Sequence, residues 1–406
     1  MPSAKDLVHD WNEVGRPGPF KQGPIYLNDE TLRDGLQSPT VRDPSIDDKI
    51  RILHLMDDLG IQMADIGLPG AGPRAYSDVL ALATEISRSK LKVRPNCAAR
   101  TTIQDIDPIL DVSQKAGIAI EAAAFIGSSM LRQYVENWTI DDLLKRTEEA
   151  VSYTVRNGLP SMYVTEDTTR AFPDAIKRLY TAAIQAGARH LVVTDTVGHA
   201  TPDGARSLIR FMLEEVIRPT GAEVMLAWHG HNDRGLSVIN SLAALEAGAD
   251  VVHGCALGIG ERVGNTPMDQ VLVNLKLLGA IDNDLVKLKD YCETASRACN
   301  IPIPPGYPVF GRDAFRTATG VHAAAIIKAM RRGETELANI VYSGVPSHLF
   351  GLEQVIDIGP MSGKSNVTFW LERRGIEPTE ERVNAIYAKA KQSDRLLTEE
   401  EILAAL

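Results

Sequence analysis

The chain has 406 residues, a formal net charge of −10, 44% hydrophobic and 24% charged residues, values typical of a globular protein large enough for one α/β barrel with an appendage. No apolar run approaches the roughly 20 residues that span a bilayer, and the acidic balance argues against a nucleic-acid surface, leaving small molecules as the expected partners. Cys97, Cys255, Cys292 and Cys299 match no zinc or redox spacing. The opening "MPSAKDLVHDWNEVGRPGP" has no continuous apolar stretch, so no signal or transit peptide is expected and the expected location is cytoplasmic.

Residues 1–24 form an N-terminal extension in this reading, and the periodic pattern begins at residue 25. From there to 285, short β-branched or small-residue runs alternate with helix-period stretches, as repeated βα units require. The strand candidates are "IYLNDETL" (25–32), "MADIGL" (63–68), "KVRPNCA" (92–98), "AIEAAAFI" (119–126), "SMYVTED" (161–167), "HLVVTDT" (190–196), "EVMLAWHGH" (223–231) and "DVVHGCAL" (250–257). Glycine closes the helix before several of them, as in "QKAG", "IQAG" and "LEAG", where a left-handed residue lets the chain turn back. Thr139 before "IDDLL" and Thr201 before Pro202 are helix caps. Eight consecutive units predict a closed (β/α)8 TIM barrel rather than an open doubly wound sheet. After 285 the pattern changes. "IPIPPGYPVFG" (301–311) is a Pro-rich connection, "GVHAAAIIKAMRRG" resumes as helix, and Thr398 with Glu401 has capping-box spacing before a terminal helix. Residues 286–406 are therefore expected to form a small, mainly helical accessory region.

A βα barrel gathers its chemistry at the C-terminal ends of its strands. Strand one ends in "DETLRDGLQSP", with Asp29, Arg33, Asp34 and Gln37; strand five in Glu166 and Asp167; strand six in Asp195 and Thr196. In "AWHGHNDRG" (227–235), His229 and His231 lie two apart and so share one face of a strand. Asp34, His229, His231 and the amide oxygen of Asn265 make a mixed N/O set suited to Mg²⁺, Mn²⁺ or Zn²⁺, with two octahedral positions left for substrate. "GIGERVGN" (258–265) lacks the spacing of a dinucleotide fingerprint.

"DETLRDGLQSP", "EDTTR", "DTVG", "HGHND" and "GIGERVGN", in this order, resemble the DRE-TIM metallolyase family: the isopropylmalate, homocitrate and citramalate synthases and hydroxymethylglutaryl-CoA lyase. The resemblance implies a divalent-metal-dependent condensation of acetyl-CoA with a 2-oxo acid. In it, Asp34, His229, His231 and Asn265 hold the metal, Arg33 meets the developing oxyanion, and Thr196, with Gln37 nearby, holds the substrate carboxylate. The loop containing Gly258 and Gly260 would lie near acetyl-CoA. His322 of "TGVH" matches the synthases' proton-abstracting histidine, often supplied by a partner chain, and Glu166 and Tyr342 match assisting acid/base groups; a homodimer follows. Arg132, in "FIGSSMLRQ", matches the arginine with which homocitrate synthases meet a distal carboxylate.

Two features point in opposite directions within this family. Leu36 gives "RDGLQ", the form typical of the lyase, whereas "GIGERVGN" and the region after 285 have the synthase form. Condensation is the expected reaction, cleavage of a hydroxymethylglutaryl-CoA-type thioester the alternative, and a non-catalytic binding or regulatory barrel the reading from another class.

Overall fold

The computed structural model describes residues 4–15 and 18–406. Among these, β1 (Tyr26–Asp29), β2 (Met63–Asp65), β3 (Arg94–Arg100), β4 (Glu121–Gly127), β5 (Ser161–Glu166), β6 (His190–Asp195), β7 (Met225–Gly230) and β8 (Val251–Gly254) form a closed parallel barrel in chain order. Closure comes from β1 against β8, with Tyr26 opposite Val251 and Asp29 opposite Gly254. Each strand overlaps one of the eight expected runs; β3 and β4 extend two and one residues past theirs, and β1, β2 and β8 end three residues short. Strand β8 ends at Gly254, so Cys255 follows the strand rather than lying in it, and its thiol is buried.

Side chains two apart on each strand point inward, and the interior is filled by Met63, Ala123, Met162, Val192, Ala227 and Val251. The helices outside are set by local signals. Thr139 makes a reciprocal capping box with Asp142, and Thr201 accepts from the Gly204 N–H ahead of a helix with proline in its first turn. Gly248 has φ +116°, and a Cβ there would lie 2.8 Å from Leu213 Cδ1, so both conformation and space call for glycine.

The chain divides into two compact units, Gly18–Pro302 and Ile303–Leu406, the latter with the described N-terminal residues. The first unit extends beyond residue 285 because helix Leu288–Cys299 packs on helix Ile46–Asp58 and buries Tyr291, Cys292 and Cys299. It also includes part of the expected N-terminal extension, since Lys21 Nζ reaches Asp250 Oδ1 at 3.4 Å. The second unit contains helices Gly320–Arg331, Thr335–Ile340, Lys364–Arg373, Glu380–Gln392 and Glu399–Leu403, and a two-stranded parallel sheet of Arg316–Thr317 and Val355–Ile356. Its largest apolar cluster joins Ile358, Val367, Trp370, Leu371, Val383, Ile386, Ala390 and Ile402. Among the described residues, no helix is long and apolar enough to cross a membrane.

Candidate active site

The C-terminal ends of the strands surround a cavity of about 300 Å³, lined among others by Glu30, Arg33, Asp34, Gln37, Asp65, Glu166, Thr196, His229, His231, His253 and Glu261. His229 is the penultimate residue of β7, and His231 lies just beyond it in an isolated antiparallel bridge with Asn265. Asp34 lies in the turn after β1, and its Oδ2 is 3.5 Å from His229 Nε2 and 3.7 Å from His231 Nε2. Ligand atoms of these three buried residues lie within 4.8 Å of one another, close enough to share one cation.

Asn265 fits the same purpose. Its Nδ2 donates to Ile259 O at 3.1 Å, while its Oδ1 is buried with no hydrogen-bond partner among the described residues. A buried amide oxygen without a donor is costly unless something meets it, and a cation is such a partner. Gly260, at φ +154°, allows the approach, since a Cβ there would collide with Asn265 Nδ2. The backbone N–H of Gly258 is committed to Cys255 O at 3.0 Å, so at this position the loop supports Asn265 rather than offering a donor to a phosphate.

Behind this cluster lies a hydrogen-bonded network in which Glu30, His253, Asn28, Asn96 and Asp65 were not expected from the motifs. Glu30 accepts from His229 Nδ1 at 2.7 Å and from His253 Nδ1 at 2.9 Å, and Asn96 donates to Asn28 at 2.7 Å beside them. Arg33 Nε donates to Asp65 Oδ2 at 2.7 Å, with Glu30 and Asp34 at 3.7 and 3.6 Å. Reading every strand end alike would have found Asp65, whereas Asn96 lies inside β3, and the alternation through Asn28 and Glu30 marks the inward face of β1.

Electrostatics follow from burial and pairing. Burial opposes charge on Glu30, yet His229 and His253 outweigh it and hold the carboxyl well below its usual range. Burial also lowers His229, but Glu30, by charge and hydrogen bond, carries it above the usual imidazole value. His231 is pushed down to about 4 by burial and by neighbouring His229, which keeps its imidazole neutral and able to ligate. Burial raises Asp65 to about 6 in spite of Arg33.

The other expected residues divide into groups. Gln37 and Thr196 line the cavity, and Thr196 Oγ1 also accepts from Asp167 N at 2.8 Å. Glu166 lines it too, its pKa raised by burial against the opposing charge of Arg132. Arg132 is not among the lining residues. It lies in the first turn of helix Met130–Glu136, packs on Gly127, and directs its guanidinium to Glu136 at 3.1 Å and Glu166 at 3.7 Å. His322 and Tyr342 belong to the second unit, where their rings stack with centroids 4.0 Å apart.

Known proteins resemble the chain over the barrel and beyond it. The HMGL-like family model matches residues 24–297. The homocitrate synthase AksA of Methanopyrus kandleri is 32% identical over 370 residues, covering 90% of this chain and 87% of that one. The 2-isopropylmalate synthase of Pyrococcus furiosus is 31% identical over 380 residues, covering 91% and 72%. Among solved structures, the HMG-CoA lyase of Bacillus subtilis superposes with a TM-score of 0.59 at 20% identity, over 71% of this chain and 97% of that one. At that identity the likeness concerns the fold. The barrel, the ordered motifs and the extent of these matches lead to one conclusion: the chain belongs to the HMGL-like, or DRE-TIM, family.

Proposed function

We propose that the protein condenses acetyl-CoA with a 2-oxo acid in a divalent-metal-dependent, Claisen-type reaction that yields CoA and a 2-hydroxy acid of the alkylmalate type. The observation that carries this reading is the buried Asp34–His229–His231 cluster with Arg33 beside it. The synthase names of the relatives support the same class.

Asp34, His229, His231 and Asn265 hold the cation, which when bound supplies Lewis acidity toward the 2-oxo group. Thr196 and Gln37 orient the substrate carboxylate. His322, acting from a second copy of the chain, removes a proton from the acetyl methyl group, with Tyr342 stacked on its ring. The resulting carbon nucleophile forms a bond to the oxo carbon, and Arg33 donates to the oxygen as it becomes anionic. Glu166, its pKa raised by burial, holds a proton more readily than an exposed carboxyl and passes it to that oxygen as it becomes a hydroxyl. Water then cleaves the thioester, releasing CoA and the free carboxylate. Arg132 pairs with the distal carboxylate of a dianionic oxo acid after exchanging its Glu166 contact.

The test is thiol release from acetyl-CoA by the metal-loaded protein across pyruvate, 3-methyl-2-oxobutanoate and 2-oxoglutarate, with cleavage of hydroxymethylglutaryl-CoA run beside it. Thiol release dependent on one oxo acid is expected. Thioester cleavage without condensation would establish the lyase instead, which Leu36 favours, and inactivity without metal binding would favour the non-catalytic barrel.

A further inference from the structure

A second cavity of about 440 Å³ lies outside the barrel mouth, between helix Pro173–Ala186 and helix Pro202–Phe211, and shares no lining residue with the mouth. Ile176, Leu208 and Phe211 give it apolar walls, and Thr169, His199 and Arg234 a polar side. Arg234 donates through Nη1 to His199 O at 2.7 Å and makes no ion pair among the described residues. A guanidinium without a carboxylate beside an apolar hollow matches a ligand with one anionic end and a short aliphatic body.

We propose that this cavity is a regulatory site for a small aliphatic monocarboxylate. One acid group is specified because Arg234 is the single guanidinium or ammonium group in the lining, and the body is short because the volume is near the lower end for small-molecule sites. The walls connect to the metal cluster through Asp195. Its carboxylate accepts from Thr169 Oγ1 at 2.9 Å and from the His199 N–H at 2.8 Å, both residues of the cavity lining. Its backbone carbonyl accepts the N–H of His231 at 3.1 Å. Arg234 itself lies three residues after His231. A ligand that orders Thr169, His199 and Arg234 therefore acts on the segment presenting His231, and metal and carboxylate alter each other's affinity by the same factor. The binding site does not rest on the condensation reading.

Calorimetry on the metal-free protein with isocaproate as probe tests the site, with isocaproamide as the uncharged control. Saturable binding of isocaproate is expected, with isocaproamide and Arg234→Gln each about tenfold weaker, the loss of one charge-assisted contact. Leu208→Trp, which fills the cavity, should abolish binding, and Arg33→Gln should leave it intact. Absence of saturable binding, equal binding of the amide, or binding lost with Arg33→Gln and retained with Leu208→Trp would overturn the assignment. Coupling is read separately from Mn²⁺ titrations: isocaproate should shift manganese affinity several-fold in the wild type and not in Leu208→Trp. An unchanged wild-type affinity would refute the regulatory role.

Discussion

His229 donates through Nδ1 to Glu30 Oε2 at 2.7 Å, and that bond decides which nitrogen of the ring faces Asp34. With the proton fixed on Nδ1, the Nε2 lone pair is the one available to a cation. Glu30→Gln should therefore weaken Mn²⁺ or Zn²⁺ binding by about 10- to 100-fold while circular dichroism stays unchanged. His229→Ala or His231→Ala should abolish metal-dependent activity altogether. Full metal affinity in Glu30→Gln would show that the carboxylate does not govern the imidazole.

Arg33→Lys should lower kcat/KM by about 100-fold, or about 3 kcal/mol of barrier, because a point ammonium cannot reproduce a planar fork. The guanidinium is held by Asp65 at 2.7 Å, with Glu30 and Asp34 flanking it, so a lysine retains the charge balance but loses the aim. Steady-state kinetics and a thermal melt on the same preparations separate the two effects. Unchanged kinetics would remove Arg33 from the reaction.

Asp29 is fully buried between β1 and helix Leu288–Cys299, hydrogen-bonded by Tyr291 Oη and by the Thr31 N–H. Burial raises its pKa from 3.8 to about 6. A value higher in the folded than in the unfolded chain means that folding favours the protonated form, so ionised Asp29 costs stability above pH 6 and the cost disappears toward pH 4. Asp29→Asn should consequently look about 3 kcal/mol better, relative to wild type, at pH 8 than at pH 4. Urea melts at both pH values measure this, and equal differences would contradict a buried ionised Asp29.

Mixing two inactive proteins, His322→Ala and His229→Ala, should restore activity if the proton-abstracting histidine serves a neighbouring chain. A hybrid dimer then contains one site with both groups intact. If subunit exchange is demonstrated and activity stays absent, the role passes from His322, with Glu166 the next group to test, its pKa already raised by burial.

Much of the barrel was legible because its signals are local. A β run and a helix-period run repeat eight times, with a glycine at a left-handed turn before most strands, and each signal depends on neighbours a few residues away. The metal cluster was partly legible for the same reason: His229 and His231 are two apart, and Asp34 stands at the end of the first unit. Glu30 was harder to see: the alternation with Asn28 marks it as inward-facing, but nothing in its own segment shows that it meets two histidines from β7 and β8.

The sequence by itself determined the order of strands and helices, the residue types at each strand end and the family they resemble, since these follow from short-range periodicity and motif. Only the tertiary structure decided that Glu30 joins β7 to β8 through His229 and His253, separated from it in the chain by 199 and 223 residues. It also moved Arg132 to the edge of the mouth and committed the Gly258 N–H to Cys255. Closing a barrel sets strand register and tilt together, and those fix which side chains converge; no stretch of sequence contains that information before β1 meets β8.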